Sequence, residues 1–364
     1  MIAVRLKTEH LVAPIGIDII RPRLSWNCEG GVKQTAYEIH AADDLGHILW
    51  DSGKVASSSM HCAWGGEAVP MKTRVIWKIR LWDEQDTCGS WKESTFETGI
   101  DAWKASWITG NYPVAPWKRY PVDLFRKSFE AKDIRKARLY ITACGLYEAQ
   151  INGKKCGSFV LAPGLTDYRK RIQHQTVDVT DLVKDGTNQL TVSLADGWYR
   201  GSCGAWGLKN QYGTRTKLLA QLELTHGDGT VTTVVSDRSW DWSNDGPIRL
   251  ADNKDGEVVD ACMAPTYSGK ARRANHGVLP TASNNVPVTE HEHLTAQKIV
   301  TPSGKTVLDF GQNIAGYIAF RLEAKAGQKL LLRFGEMLDK DGEFTQSNIQ
   351  LTMGKKTTPL QRIE

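Results

Sequence analysis

Apolar and polar residues alternate along most of this chain, in short runs punctuated by turn residues. In Val75 to Trp82 (VIWKIRLW) the alternation places Trp77, Ile79 and Leu81 on one face and Lys78 and Arg80 on the other, which predicts a half-buried strand. Gln34 to Ala41 (QTAYEIHA) reads the same way, and Pro22 to Trp26 opens an extended segment. With turn signals at Asp43-Asp44, Asp51-Ser52-Gly53 and Gly65-Gly66, residues 1–100 have the strand spacing and size of a fibronectin type III-like sandwich. Residues 101–117 are rich in Trp, Pro and Gly without a period. They read as a linker that packs on its neighbours through Trp103, Trp107 and Trp117.

Alternation resumes over residues 118–270. Arg138 to Thr142 and Tyr147 to Asn152 predict strands, and Asn152-Gly153 predicts a tight hairpin because both central positions of a type I′ turn need positive φ. Further strands are expected at Gln175 to Val179, Gln189 to Leu194, Lys217 to Leu224 and Thr230 to Val235, a spacing that suits an eight-stranded jelly roll. Residues 285–364 begin a third β-module, with strands expected at Lys305 to Phe310, Tyr317 to Ala324 and Lys329 to Phe334. No helical period is sustained. The fold class is therefore all-β: tandem β-sandwiches, fibronectin III-like, then jelly roll, then the start of a third sandwich.

Composition narrows the function. Lys and Arg (46) are interleaved with Asp and Glu (41), so the formal charge of +5 is not gathered into the stripe that nucleic-acid backbones require; no nucleic-acid partner is expected. No apolar run reaches a membrane span, and no membrane partner is expected. Seven widely spaced cysteines without a C-x-x-C pair read as free thiols, and the N-terminus lacks the apolar core of a signal peptide. Both favour the cytoplasm, with a secreted or periplasmic location expected instead if a leader has been removed.

The acidic pairs Glu257 with Asp260 and Glu336 with Asp339 lie at strand edges or turns, where solvated acids are ordinary. Asp339 to Gly342 resembles the opening of a calcium loop but has Gln350 where an EF-hand needs Glu. Cys144 and Cys203 read as buried fillers, not nucleophiles. What remains is Asp196-Gly197-Trp198-Tyr199-Arg200-Gly201, followed by Gly204, Trp206 and Gly207. Glycines admit a ligand to the backbone, Asp and Arg can bond vicinal hydroxyls, and aromatic rings stack on sugar faces. The alternative is a Gly-rich loop whose aromatics cap the core.

Several stretches, in this order, resemble the N-terminal part of bacterial α-L-rhamnosidases of glycoside hydrolase family 78. They are PRLSW, QTAYEIHAA, DSGKV and FETG; then ARLYITACGLYEAQINGKKCGSFVLAPGLTDYRKRIQHQTVDVTDLV and LADGWYRG; then DFGQNIAGYIAFRLEAKAGQKLLLRFGEMLDKDGEF. The resemblance implies an enzyme that removes terminal α-L-rhamnose with inversion, using an acid and a base on a later (α/α)6 barrel. Twelve helices of about 11–12 residues with their loops would need on the order of 200 residues beyond Glu364. The chain is thus expected to be an inactive accessory portion, with 285–364 a partial concanavalin-like sandwich and no catalytic residue of its own.

The resemblance further implies a calcium-dependent rhamnose site on the jelly roll. By position this suggests Asn152, Asp196, Trp198, Tyr199 and Arg200 as sugar-binding residues, and Asn152 and Asp196 as calcium ligands. No cofactor is required on this reading, calcium being the one the resemblance allows, and a rhamnose-containing carbohydrate is the expected partner. A stand-alone carbohydrate-binding protein and a purely structural scaffold are the alternatives.

Overall fold

The computed structural model describes residues 1–204, 207–350, 352–353, 356–357 and 362–363. Among them the only helices are the four-residue turn Gly197–Arg200 and the 3-10 turn Thr180–Leu182; the rest of the regular structure is β. The architecture is a row of β-sheet modules that fits tandem sandwiches.

In the first module a three-stranded sheet (Ile2–Thr8, Arg23–Glu29, His61–Ala63) faces a larger one in the order Ile15–Ile17, Lys92–Thr98, Arg74–Trp82, Ala36–Asp43, Ile48–Asp51. The alternation in Arg74–Trp82 does what the sequence pattern demands. Val75, Trp77, Ile79 and Leu81 are fully buried, while Arg74, Ile76 and Lys78 face outward. They pack with Leu24, Trp26, Ile39 and Phe96 into one core. Trp77 and Phe96 alone bring large apolar surfaces out of water, at roughly 25 cal/mol per Å².

The second module stacks two six-strand paths. One runs Arg272–Arg273, Ile108–Thr109, Lys217–His226, Ile134–Cys144, Gln173–Asp178, Thr281–Ala282, with Val231–Val235 added on Lys217–His226. The other runs Lys154–Lys155, Leu146–Ile151, Gly186–Ala195, Asp123–Ala131, Asp241–Ser243, Gly269–Lys270. Between them lie Phe125, Leu139, Ile141, Leu190, Val192, Leu218, Leu222 and Trp240. The Asn152-Gly153 turn adopts φ of +52° and +77°, and Ile151 pairs with Lys154 across it, as a type I′ hairpin requires.

The segment expected as a linker is partly built into this module, because Ile108–Thr109 pairs with both Lys217–His226 and Arg272–Arg273. Trp103 and Trp107 pack on His174 and His276. Trp117, expected to pack likewise, is 87% exposed.

The two modules meet through polar groups. Arg138 grips Glu97 with two bonds of 3.0 and 2.9 Å, Lys136 adds a third contact at 3.0 Å, and Lys72 reaches Glu223 at 3.0 Å. The third stretch is less regular. Its pairings are the hairpins Gln297–Val300 with Thr306–Asp309 and Met337–Leu338 with Phe344–Thr345, and Leu332–Arg333 with Arg362–Ile363. The strand expected at Tyr317 to Ala324 does not form; Tyr317, Phe320 and Leu322 are more than half exposed there, so no partner sheet supports it.

Candidate functional site

The Asp196 loop begins where the strand Gly186–Ala195 ends. Gly197 has φ +52°, and a Cβ there would come within 2.7 Å of Leu146 Cγ and 2.9 Å of its backbone nitrogen, so only glycine lets the chain turn this closely on its neighbour. The turn aims Arg200 back at Asp196: Nε and Nη2 lie 2.7 and 2.6 Å from Oδ1. Arg200 also donates to the Tyr112 hydroxyl, which in turn donates to Asp123 at 3.3 Å. Asp123, fully buried, accepts from Trp242 Nε1 at 3.0 Å and from Thr216.

A second half of the network surrounds Arg119, whose Nη2 meets Asp252 at 2.7 Å and Asp255 at 2.9 Å and whose Nη1 lies 3.9 Å from Asp196. Ser202 donates to both Asp252 and Asp255. Burial raises the pKa of Asp196 and of Asp123, with Arg200 opposing it in both. Burial also works against ionised Asp252, but the N–H groups of Asp255, Ser202 and Lys254 outweigh it and hold that carboxyl below its usual range. Burial likewise disfavours charge on Arg200, yet Asp196, Tyr112 and Asp123 more than compensate and keep it protonated.

Of the five expected sugar-binding residues, Asp196, Tyr199 and Arg200 are therefore buried. Tyr199 packs in a cluster with Cys144, Tyr168 and Ile172; Trp198, half-buried, lies against that cluster with Tyr212 and Trp107. Trp206 lies outside the described residues. Asn152 is elsewhere. Its amide donates to Leu182 O at 3.0 Å and Asn188 Oδ1 at 2.8 Å, and its Oδ1 accepts from Gln189 N at 3.0 Å. Gln189 lies in the strand Gly186–Ala195 and Asp196 just beyond its end, so the two are separated by seven extended residues, on the order of 20 Å. The structure does not bring Asn152 and Asp196 together, and their pairing as ligands of one calcium ion is corrected accordingly.

Cys144 is a buried filler whose thiol burial pushes up to about 12; Cys203, expected to be buried likewise, is only half-buried, with its pKa raised by the same cause. The expected turn at Asp339 forms, with Asp339 accepting from Asp341 N and Glu343 N.

Sequence reasoning passed over a different group. Glu38 and His40 sit two apart on one strand, and Asp51 is the direct cross-strand partner of His40. His40 Nε2 lies 2.9 Å from Glu38 and 3.3 Å from Asp51, and donor atoms of all three fall within 4.8 Å of one another, a set suited to hold a metal ion. Arg80 already occupies the other Glu38 oxygen at 2.6 Å. The Glu38-x-His40 spacing was visible in sequence; the contribution of Asp51 needs the strand register. No helix among the described residues is long and apolar enough to cross a membrane.

Three family profiles match the chain in order. They are the Rha78A-like N-terminal immunoglobulin domain over residues 3–102, the α-L-rhamnosidase N-terminal domain over 132–301, and the bacterial α-L-rhamnosidase concanavalin-like domain over 299–358. Among curated relatives, an α-L-rhamnosidase of Streptomyces avermitilis is 37% identical over 99% of this chain and 37% of its own length. One of Formosa agariphila is 32% identical over 94% of this chain and 40% of its own.

Among solved structures, an Aspergillus terreus α-L-rhamnosidase is similar with a TM-score of 0.88 at 29% identity, covering 99% of this chain and 44% of that one. A Streptomyces avermitilis α-L-rhamnosidase complexed with L-rhamnose gives 0.86 at 25%, covering 99% of this chain and 53% of that one. The chain thus spans about 40% of the length of the curated relatives it matches.

Proposed function

Because the chain belongs to the bacterial α-L-rhamnosidase family through its N-terminal and concanavalin-like regions, we propose that it is the accessory portion of an enzyme hydrolysing terminal α-L-rhamnosides with inversion. The ordered match to three domains of that family carries this reading. Inverting hydrolysis needs two carboxyl groups about 6.5–9.5 Å apart across the bond, one of them a free acid. The acids gathered around Asp196 are instead tied to Arg119, Arg200 and backbone donors, so the reacting pair is assigned to another part of the enzyme. Assayed on an aryl α-L-rhamnoside, the 364-residue chain should give no turnover; turnover abolished by replacing one carboxylate among these residues would overturn the assignment.

The finer reading follows the same family. Residues 1–100 act as a fibronectin III-like or immunoglobulin-like module, 101–117 as a packed connector, 118–270 as a jelly roll, and 285–364 as part of the concanavalin-like sandwich. The jelly roll contacts a rhamnose-containing carbohydrate at the Asp196 loop. Within it Trp198 supplies the stacking surface, and Asp196, Tyr199 and Arg200 hold that surface in place from below. A calcium ion at Asp196 would have to compete with Arg200, so rhamnose binding here should be indifferent to chelator. The seven unpaired thiols support a reducing compartment. Calorimetry with L-rhamnose tests the site: Trp198→Ala should weaken binding at least fivefold, and unchanged binding would remove the loop from the reading.

A further inference from the structure

The first module carries a cleft of about 510 Å³ between the strand Ile48–Asp51 and the loop at residues 65–67, lined by Arg21, Ile48, Trp50, Asp51, Gly66 and Glu67. The cleft is shallow and open to solvent over most of its extent, so it suits a single ring laid on its floor and not a ligand enclosed on all sides. Its floor is rigid. Trp50 packs on buried Trp64 at 5.2 Å, and Trp64 meets Phe96 edge-on at 5.6 Å. The loop is held down by Trp64 Nε1 donating to Glu67 O at 2.6 Å, Glu67 N to Leu49 O at 3.1 Å, and Arg21 Nη1 to Gly66 O at 2.6 Å. A Cβ at Gly66 would stand 2.2 Å from Leu49 O and 2.5 Å from Trp50 Cβ, so the absence of a side chain there is what lets the loop close onto the strand.

The rim differs in kind from the floor. Arg21, Asp51 and Glu67 are exposed; Arg21 and Glu67 enter no ion pair among the described residues, while Asp51 Oδ1 accepts from Gly53 N at 2.9 Å and lies 3.3 Å from His40, which leaves its other oxygen to a ligand. An anion entering the cleft would meet two carboxylates, and a cation would meet the guanidinium. A neutral ligand rich in hydroxyls meets neither obstacle: it can accept from the remaining Arg21 N–H groups, donate to Asp51 and Glu67, and lay an apolar ring face on Trp50. We infer that this cleft of the first module binds a pyranose unit of a glycoside, as a sugar site separate from the jelly-roll loop. The inference rests on the carbohydrate reading of the family.

The test uses the whole 364-residue chain titrated with methyl α-L-rhamnopyranoside, followed by calorimetry and by the indole N–H resonance of Trp50, assigned with Trp50→Phe. Arg21→Ala and Glu67→Gln alter exposed groups and should fold normally, with a melting temperature within a degree or two of the parent. Each should weaken the binding read from the Trp50 signal at least fivefold and remove the cleft's share of the calorimetric heat, leaving that of the loop. If both bind as the parent does while Trp198→Ala abolishes binding, the cleft inference is overturned and the jelly-roll reading stands. If the rim variants abolish binding and Trp198→Ala does not, the cleft stands and the loop reading falls. Absence of binding by the parent chain overturns both.

Discussion

The Asp196 loop and the Trp50 cleft contain nearly the same chemical inventory: a tryptophan, an arginine, carboxylates and adjacent glycines. They use it in opposite ways. In the loop, Asp196 and Arg200 are each about 95% buried and bonded to one another, and their charges are consumed by the fold. In the cleft, Arg21 and Glu67 stand in water without an ion partner among the described residues, and apart from the Arg21 bond to Gly66 O they leave their bonding capacity to a ligand. Composition selects a candidate site; only burial and pairing decide whether its polar groups face inward as structure or outward as recognition.

The sharpest way to break this contrast is to remove one member of the buried pair. Asp196→Ala leaves Arg200 charged and enclosed with Tyr112, Asp123 and the Tyr120 ring to answer it, and breaking a buried pair on one side typically costs about 3–5 kcal/mol. Chemical denaturation should show the second module unfolding well before the first. A loss under about 1 kcal/mol would mean the pair behaves as a surface contact, and Asp196 and Arg200 would return beside Trp198 as groups free to bond a sugar directly.

The junction between the modules supplies an intermediate case, a buried ionisable group with no ion partner among the described residues. His174 is 5% exposed, neither ring nitrogen makes a hydrogen bond, and the rings of Trp103 and Tyr140 stand 5.3 and 6.4 Å away. Burial pushes the imidazole down to about 4, against the weaker opposing pulls of the Asp18 carboxylate and the Thr281 backbone. Around it the junction also holds Glu97, Arg138, Lys136 and Asp178 in ion pairs.

Because the folded state binds fewer protons at His174 than the unfolded state between pH 6.5 and about 4, this contribution is complete above pH 6.5 and shrinks as pH falls through that window. The change is on the order of 3 kcal/mol. Thermal unfolding from pH 7 to 4.5 should show the decline, and His174→Phe should flatten it. An equally steep decline in the variant would place the proton uptake elsewhere.

What the sequence made legible follows from range. The Asn152-Gly153 turn and the Arg74–Trp82 alternation are written in adjacent residues, and both form. Tyr317 to Ala324 carries an equally good local pattern, yet strand formation needs a partner, and none of the described residues provides one. The Asp196 loop was visible because its residues are contiguous. Its inward use was not, since Tyr112, Asp123 and Arg119 come from more than 70 residues away. The cleft was missed for the same reason: Arg21 reaches Gly66 across 45 residues. Asp51 joins Glu38 and His40 only through cross-strand register.

Closing the cleft from its backbone side should cost less than either buried change. Gly66→Ala forces a methyl to within 2.2 Å of Leu49 O, and relieving such an overlap typically costs about 1–3 kcal/mol through displacement of the loop. Sugar binding at the cleft should weaken with it, while any response at Trp198 stays unchanged. Stability equal to the parent would show a loop able to lift off Trp50 freely, and the rigid floor inferred here would be lost.

The smallest expected effect bears most directly on the contrast. Arg21→Ala and Glu67→Gln remove exposed groups with no ion partner among the described residues, and Arg21 gives up one hydrogen bond at the surface, to Gly66 O. Surface changes of this kind usually fall within about 0.5 kcal/mol. Denaturation midpoints matching the parent, combined with weakened glycoside binding, would separate recognition from stability in the cleft as cleanly as Asp196→Ala joins them in the loop. A stability loss above about 1 kcal/mol in either rim variant would mean that the rim, like the buried network around Arg200, holds the fold together, and the two regions would differ in exposure but not in role.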